Sequence, residues 1–409
     1  MHDADTPRPA IAALGITQVI GYGTLYYSLP ILIPSISAEF ELPEQWIFGG
    51  FSVALFLGSL LAPTAGRWAD RFGAGRLMTA GSASAALCLA ASALAPDLAS
   101  LSAAIIAMQL AACFVLYATA FVAIVQIGPA GAQRAITHVT LIAGFASSIF
   151  WPVTDVLHEY LSWRGVLFVF AGLHLAICLP VHAALMRLSG RRERARAGNP
   201  PSAETHVAAL DPARVRTIFP VVLFGFAAEG FVLAAVLLHL VPLIDMLGPA
   251  GSGVLLATLY GPAQVASRFI NMLFGGGLPQ RHLAVIAAGL MGGGLILFVV
   301  GAPWQTLIAA AVIMFGLGGG LTSIVGGTLP LELFGRIGYG ARLGWVTAAR
   351  QFSASFAPFA LSALMAATSP MLALWCVIFI AAAGLAAFVA IAAVAQRAAA
   401  PQAESLPFG

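Results

Sequence analysis

Lysine is absent from this 409-residue chain, and charged residues of every kind make up only 9% of it. Soluble domains carry roughly 25%. No water-facing surface can be assembled from so few charges, so lipid must be the outer solvent. Cysteine is scarce too. Cys88, Cys113, Cys178 and Cys376 all fall in apolar runs without metal-ligand spacing, and they read as small apolar fillers. The chain has no phosphate-binding loop, no metal-ligand cluster, no G-x-S-x-G motif and no soluble domain to host one, which argues against an enzyme or a nucleotide-driven pump. No cofactor and no nucleic-acid partner is expected. Met1–Ala10 lacks a cleavable signal pattern, so the first apolar run is expected to remain as a helix.

What the chain has in quantity is apolar sequence, 60% of it, with 43 glycines and 24 prolines set inside the apolar runs. Membrane bundles tolerate that pattern better than soluble ones. A helix needs roughly 20 apolar residues to cross a bilayer. Spans are expected near 11–35, 46–66, 77–95, 99–127, 137–158, 164–186, 217–243, 251–274, 282–301, 304–329, 343–366 and 370–396. The fold class is thus an all-α membrane protein of twelve spans, with both termini on one side. Of the 19 arginines, only Arg164, Arg268 and Arg350 fall outside the segments on that side. The opposite face carries Glu39, Glu41, Glu44, Asp97, Asp155, Glu159 and Asp245. Basic residues stay cytoplasmic, so both termini are expected in the cytoplasm, with the bundle in the inner membrane.

Residues 188–216 are polar, basic and proline-containing, and read as a cytoplasmic linker between bundles at 1–187 and 217–409. Arg191, Arg192, Arg194 and Arg196 give it an affinity for anionic lipid as an alternative role. The halves echo each other in Phe145–Pro152 (FASSIFWP) and Phe352–Pro358 (FSASFAP). Two related six-helix bundles around a linker imply a solute site at mid-membrane, at the repeat interface.

The loop after span two reads Gly66-Arg67-Trp68-Ala69-Asp70-Arg71-Phe72-Gly73-Ala74-Gly75-Arg76. It resembles the G-x-x-x-D-R-x-G-x-[KR]-[KR] motif of the major facilitator superfamily, matching at Gly66, Asp70, Arg71 and Gly73; Arg76 stands near the final basic pair. Trp163-Arg164 at the start of span six is a further common feature of that superfamily. The resemblance covers the whole architecture. It implies the major facilitator fold, two pseudo-symmetric six-helix bundles, and secondary transport by alternating access. Asp70 can face a helix N-terminus or an arginine, and Gly66 and Gly73 permit close approach and a tight turn; these four residues are the expected gate. Span eight, with Gln264-Val265-Ala266-Ser267-Arg268, looks like the monocarboxylate-porter pattern of an acid four residues before an intramembrane arginine. Here Gln264 replaces the acid, and the basic residue expected in span one is missing. The features of drug–proton antiporters are not evident either, since Gln109 and Trp151-Pro152 stand in those regions.

A charge at membrane depth is expensive and is a functional candidate by default. Arg268 lies about six residues, or roughly 9 Å, inside span eight, with Gln264 and Asn271 at i−4 and i+3 on the same face. A guanidinium fork between two amides suits a carboxylate or similar oxyanion; snorkelling to headgroups is the alternative. Arg350 in span eleven is a second anion contact, a partner for Glu229 or Glu332, or an interface anchor. Glu229 sits near the midplane of span seven. A buried carboxyl is favoured in its neutral form and a nearby guanidinium favours the charged form, and a group balanced between the two is what proton coupling requires. In span one, Gln18, Tyr22 and Tyr26 fall at i, i+4 and i+8, a stripe fit to orient a polar solute.

The expected function is uptake or exchange of a small organic anion anchored by Arg268, with protons as coupling ion through Glu229. Proton-driven export of a drug-like or toxic solute is the alternative, and a transporter-like membrane sensor is a further one.

Overall fold

The computed structural model describes residues 5–198, 210–248 and 251–403, and among the described residues every regular element is helical. Ten helices are long and apolar enough to cross a membrane: Arg8–Phe40, Glu44–Phe72, Ala74–Leu94, Leu98–Ile127, Ala132–Tyr160 and Trp163–Arg194 (spans one to six), then Pro212–Leu247 (span seven), Gln280–Gly301 (nine), Gln305–Phe334 (ten) and Pro370–Arg397 (twelve). Span eight is split into Gly253–Ala257 and Tyr260–Phe274, and span eleven is Tyr339–Ala367. That makes twelve helical columns. The helix of span six runs on to Gly198, so the basic stretch after Arg187 extends it; residues 199–209 of the expected linker lie outside the described residues.

Contacts group the chain into two units, Met1–Glu204 with Gly338–Ala348, and Thr205–Ile337 with Ala349–Gly409. By contacts, Gly338–Ala348 at the start of span eleven groups with the first unit. Glycine is the reason. A Cβ on Gly66 would collide with the Gly340 carbonyl oxygen, and one on Gly344 would come within 2.5 Å of the Ala62 oxygen. Only bare backbone lets the start of span eleven lie this close to span two.

Several columns of the first unit are interrupted, and in spans one and four the break is met by a side chain. Span one carries a π turn at Gly23–Tyr27, and span four breaks at Leu116, between Leu98–Val115 and Tyr117–Ile127. Hydrocarbon offers no water to the freed carbonyls. Gln109 Nε2 donates to the Leu25 oxygen inside the π turn at 2.7 Å, Gln18 Nε2 to the Val115 oxygen at the break at 2.7 Å, and Thr119 Oγ1 to the Cys113 oxygen at 2.8 Å. Span four starts on a capping box, in which the Ser100 backbone N–H holds the Asp97 carboxyl below the ordinary carboxylate range.

The two units share one device. Gln126, at the end of span four, accepts from the Ala74 N–H (2.9 Å) that opens span three. Glu332, at the end of span ten, accepts from the Gln280 N–H that opens span nine and pairs with Arg281 at 2.8 Å. The first core gathers Leu25, Leu32, Leu89, Val115, Phe150 and Phe170; the second gathers Val236, Leu243, Met291, Phe298, Phe315 and Leu374. Leu87, Trp46 and Phe379 stand outward, more than 60% exposed, as lipid requires.

Span ten is the most tightly packed helix of the second unit. A Cβ on Gly320 would collide with Ser267 Oγ and the Gln264 carbonyl oxygen of span eight, and one on Gly318 would lie 2.7 Å from the Ala287 oxygen of span nine. Gly289 faces open space. Gly320→Ala is expected to lower stability by about 1–3 kcal/mol through overpacking against backbone, while Gly289→Ala is neutral; thermal unfolding of the two variants in detergent checks the contrast.

Candidate functional site

Glu229 lies in the middle of span seven, only 5% exposed. Its Oε1 accepts from the Thr322 hydroxyl of span ten, while Oε2 is buried without a hydrogen-bond partner. Thr322 Oγ1 also lies 3.0 Å from the Gly318 oxygen and 3.5 Å from Met291 Sδ. Gly230 follows because a Cβ there would meet the Arg350 oxygen at 2.6 Å, so spans seven and eleven touch at this level. Ion pairs among the described residues join Arg164 to Glu39, Arg214 to Asp211 and Arg281 to Glu332, so the expected pairing of Glu332 falls to Arg281 instead of Arg350.

Arg268 is also 5% exposed, and its Nε donates to the Gly320 carbonyl of span ten at 3.3 Å. Gln264 is half-buried and donates to the Tyr260 hydroxyl at 3.1 Å; Asn271 is half-buried on the same helix, one turn beyond Arg268. Arg268 meets span ten at Gly320 and Glu229 meets it at Thr322. Two residues are about 200° around a helix. The two groups therefore touch opposite sides of span ten and do not face each other. Arg350 passes Gly230, the residue after Glu229, with its carbonyl oxygen and Cγ, and its Nη1 lies 3.9 Å from the position of a Gly326 Cβ on span ten.

In the first unit, the π turn alters the expected Gln18–Tyr22–Tyr26 stripe. An extra residue per turn places Tyr27 beside Tyr22 (ring centroids 6.3 Å), and Tyr22 packs on Tyr117 at 4.6 Å. Tyr26, 40% exposed, turns to Tyr27 at 5.2 Å and Phe51 at 5.9 Å. Gln18 is fully buried, its amide nitrogen committed to the backbone break described above and its Oε1 without a partner.

At the arginine-rich end, Asp70 accepts from the Gly340 N–H at 2.9 Å with Oδ1 and from the Ala341 N–H at 2.8 Å with Oδ2. These are orphan donors of the first turn of span eleven, and a carboxylate there also meets the positive end of the helix dipole. Gly73 turns the chain at φ +89°, a conformation side chains disfavour, and Arg71 rests 5.2 Å over the Phe72 ring.

Two buried groups escaped the sequence reading. His174 and His182 in span six are 0% and 1% exposed. Their signal was available: two imidazoles eight residues apart inside an apolar span. His239 and His138, by contrast, bond locally to the Ala235 and Arg134 oxygens.

The sequence profile of the Major Facilitator Superfamily matches residues 14–358. The chain belongs to the major facilitator superfamily. It is accordingly a multi-pass membrane transporter and not an enzyme. Solved transporters share the fold. The human organic anion transporter MFSD10 (TETRAN) superposes with a TM-score of 0.73 at 12% identity, over 93% of this chain and 99% of that one. The proton:xylose symporter XylE gives 0.67 at 13%, over 93% and 95%. The E. coli fucose:proton symporter FucP gives 0.65 at 13%, over 93% and 98%. No curated protein matches by sequence.

Asp70→Asn replaces one acceptor by an NH₂ group that cannot receive the second N–H. Hydrogen exchange at the Gly340 and Ala341 amides is expected to accelerate about tenfold, the scale of a lost carboxylate–helix contact; unchanged exchange would show that the contact does not hold span eleven.

Proposed function

We propose that this transporter moves a small organic anion, most simply a carboxylate, with Arg268 as the anchor and Glu229 as the proton-coupling group. The observation that carries this reading is a guanidinium almost fully buried in a membrane-spanning helix, 5% exposed, with the Gln264 amide one turn away. Such a charge is costly at depth and is kept where it meets a ligand, and its fork binds a carboxylate through two parallel hydrogen bonds. Gln264 and Asn271 flank it, Arg350 supplies a second positive group, and Gln18, Tyr22 and Tyr26 are the polar contribution of the first bundle.

Coupling runs through span ten. Thr322 has one hydroxyl proton. When Glu229 is charged, that proton goes to the carboxylate. When Glu229 carries its own proton, the acid donates to Thr322 Oγ1 and Thr322 donates to the Gly318 oxygen, 3.0 Å away. Both states keep Thr322 bonded, and each biases the helix against which Arg268 is held. The glycines of span ten let it shift against its neighbours during alternating access. Asp70, with Gly66, Arg71 and Gly73, gates by holding or releasing the start of span eleven. The arginine distribution supports an inner-membrane location with both termini cytoplasmic.

Proton-driven export of a drug-like solute is the second reading, favoured by the unpartnered Glu229 Oε2. Flux in proteoliposomes separates the two. Arg268→Gln is expected to cut anion transport about 10–100-fold, the scale of lost charged hydrogen bonds, while Glu229→Gln leaves transport but flattens its pH dependence. Wild-type anion flux in Arg268→Gln overturns the proposal. Loss of export of a neutral or cationic solute in Glu229→Gln alone establishes the second reading, and absence of any net flux in the wild type points to a sensor.

A further inference from the structure

The function proposed above draws its charged groups from the second unit, yet the first also buries two ionisable side chains at depth. His174 is eleven residues from Trp163, about 16 Å along span six and so near the midplane. His182 lies two turns further on. Both are held by hydroxyls whose own protons are already directed elsewhere, and that assigns the ring nitrogens. Thr24 Oγ1 donates to the Ile20 oxygen at 2.8 Å, so at 2.8 Å from His174 Nε2 it accepts the ring N–H. Thr17 Oγ1 donates to the Leu14 oxygen at 3.0 Å, so at 3.0 Å it accepts from His182 Nε2. Ser82 Oγ, 2.7 Å from His182 Nδ1, then donates to that nitrogen. His182 is satisfied on both sides. His174 is not: its Nδ1 is buried with no hydrogen-bond partner.

We propose that His174 is a proton-binding site of the first bundle, separate from Glu229, in which a proton on Nδ1 is exchanged only when spans one and six part. The bare Nδ1 is a lone pair with no donor. In the packed arrangement, a proton placed there would form an N–H with no acceptor and a cation away from water, and both are costly. Proton binding at this atom must therefore accompany a rearrangement that supplies water or an acceptor. The local backbone is suited to one. His174 opens the π turn His174–Cys178, and its partner Thr24 lies in the π turn Gly23–Tyr27, so the two irregular turns meet at this hydrogen bond. A void of about 10 Å³, room for one water, borders Thr24, Ser28 and Ser92.

The surrounding elements leave the imidazoles electrostatically isolated. Span one faces them with Thr17 and Thr24, span three with Ser82, and span six adds Cys178. The acids and arginines of these helices stand toward their ends: Arg8 and Glu39 on span one, Arg76 on span three, Arg164 and the run from Arg187 on span six. Span four has none.

The test uses the full chain in lipid nanodiscs, with ¹⁵N-labelled imidazoles, titrated from about pH 8 to about pH 3.5, through the ordinary histidine range and below it, since a proton that must open the packing binds only when driven by acid. His174 is expected to pass from the Nε2–H tautomer to the doubly protonated form. Exchange of the amides at 23–27 and 174–178, corrected for intrinsic rates, is expected to rise about tenfold or more over the same range. His174→Gln keeps an N–H for Thr24 but has no basic nitrogen, and its corrected exchange should vary by less than about twofold. The proposal is overturned if His174 stays in the neutral tautomer throughout, if it takes the proton without a change in exchange, or if His174→Gln shows the wild-type exchange response. The wild-type titration alone decides the first two outcomes should the variant not fold.

Discussion

In hydrocarbon, every main-chain donor and acceptor must be answered from inside the protein, and most of this structure follows from that demand. The first unit departs from regular helix at the π turns of spans one and six and at the breaks of spans four and five. Each departure frees carbonyls. The amides of Gln18 and Gln109 bond two of them, at Val115 and Leu25, and tie together the two helices they come from. Gln126 and Glu332 perform the corresponding service for helix starts, and Asp70 does so for the start of span eleven. Polar side chains that look like candidates for solute contact are therefore already engaged with the backbone, and any ligand role is added to that one.

The second unit is organised around span ten, where runs of glycine bring neighbouring helices to backbone contact. Arg268 and Glu229 reach the same helix from opposite sides, through Gly320 and Thr322. In the function proposed above, two groups so arranged would be coupled through the helix between them and not by a direct ion pair. The first unit works differently: its deep polar groups are hydroxyls, amides, tyrosines and the two imidazoles of span six. One bundle carries charge at depth, the other hydrogen-bonding groups that are neutral or neutralisable.

Much of this was legible beforehand. The absence of lysine, the one-sided arginines and the twelve apolar runs fixed a polytopic membrane class, and Gly66, Asp70, Arg71 and Gly73 carried the family resemblance that the profile match then established. The directions of the span-one tyrosines differ from the periodic stripe because periodicity assumes 3.6 residues per turn, and the π turn rotates Tyr26 and Tyr27 relative to Tyr22. The spacing of His174 and His182 inside an apolar span is visible in the sequence, but their partners Thr17, Thr24 and Ser82 arrive from two other helices, which spacing does not encode.

Sequence by itself determined what is set by transfer from water to lipid: how many helices cross, which end holds the arginines, and which ionisable residues stand at depth. Those are properties of single segments, and single segments are what hydropathy and spacing describe. Tertiary structure alone decided that Asp70 caps span eleven, that Glu332 pairs with Arg281, and that Arg268 and Glu229 are parted by span ten. Each depends on helix rotation and on a glycine-permitted approach between segments distant in the chain, and no local pattern encodes those angles.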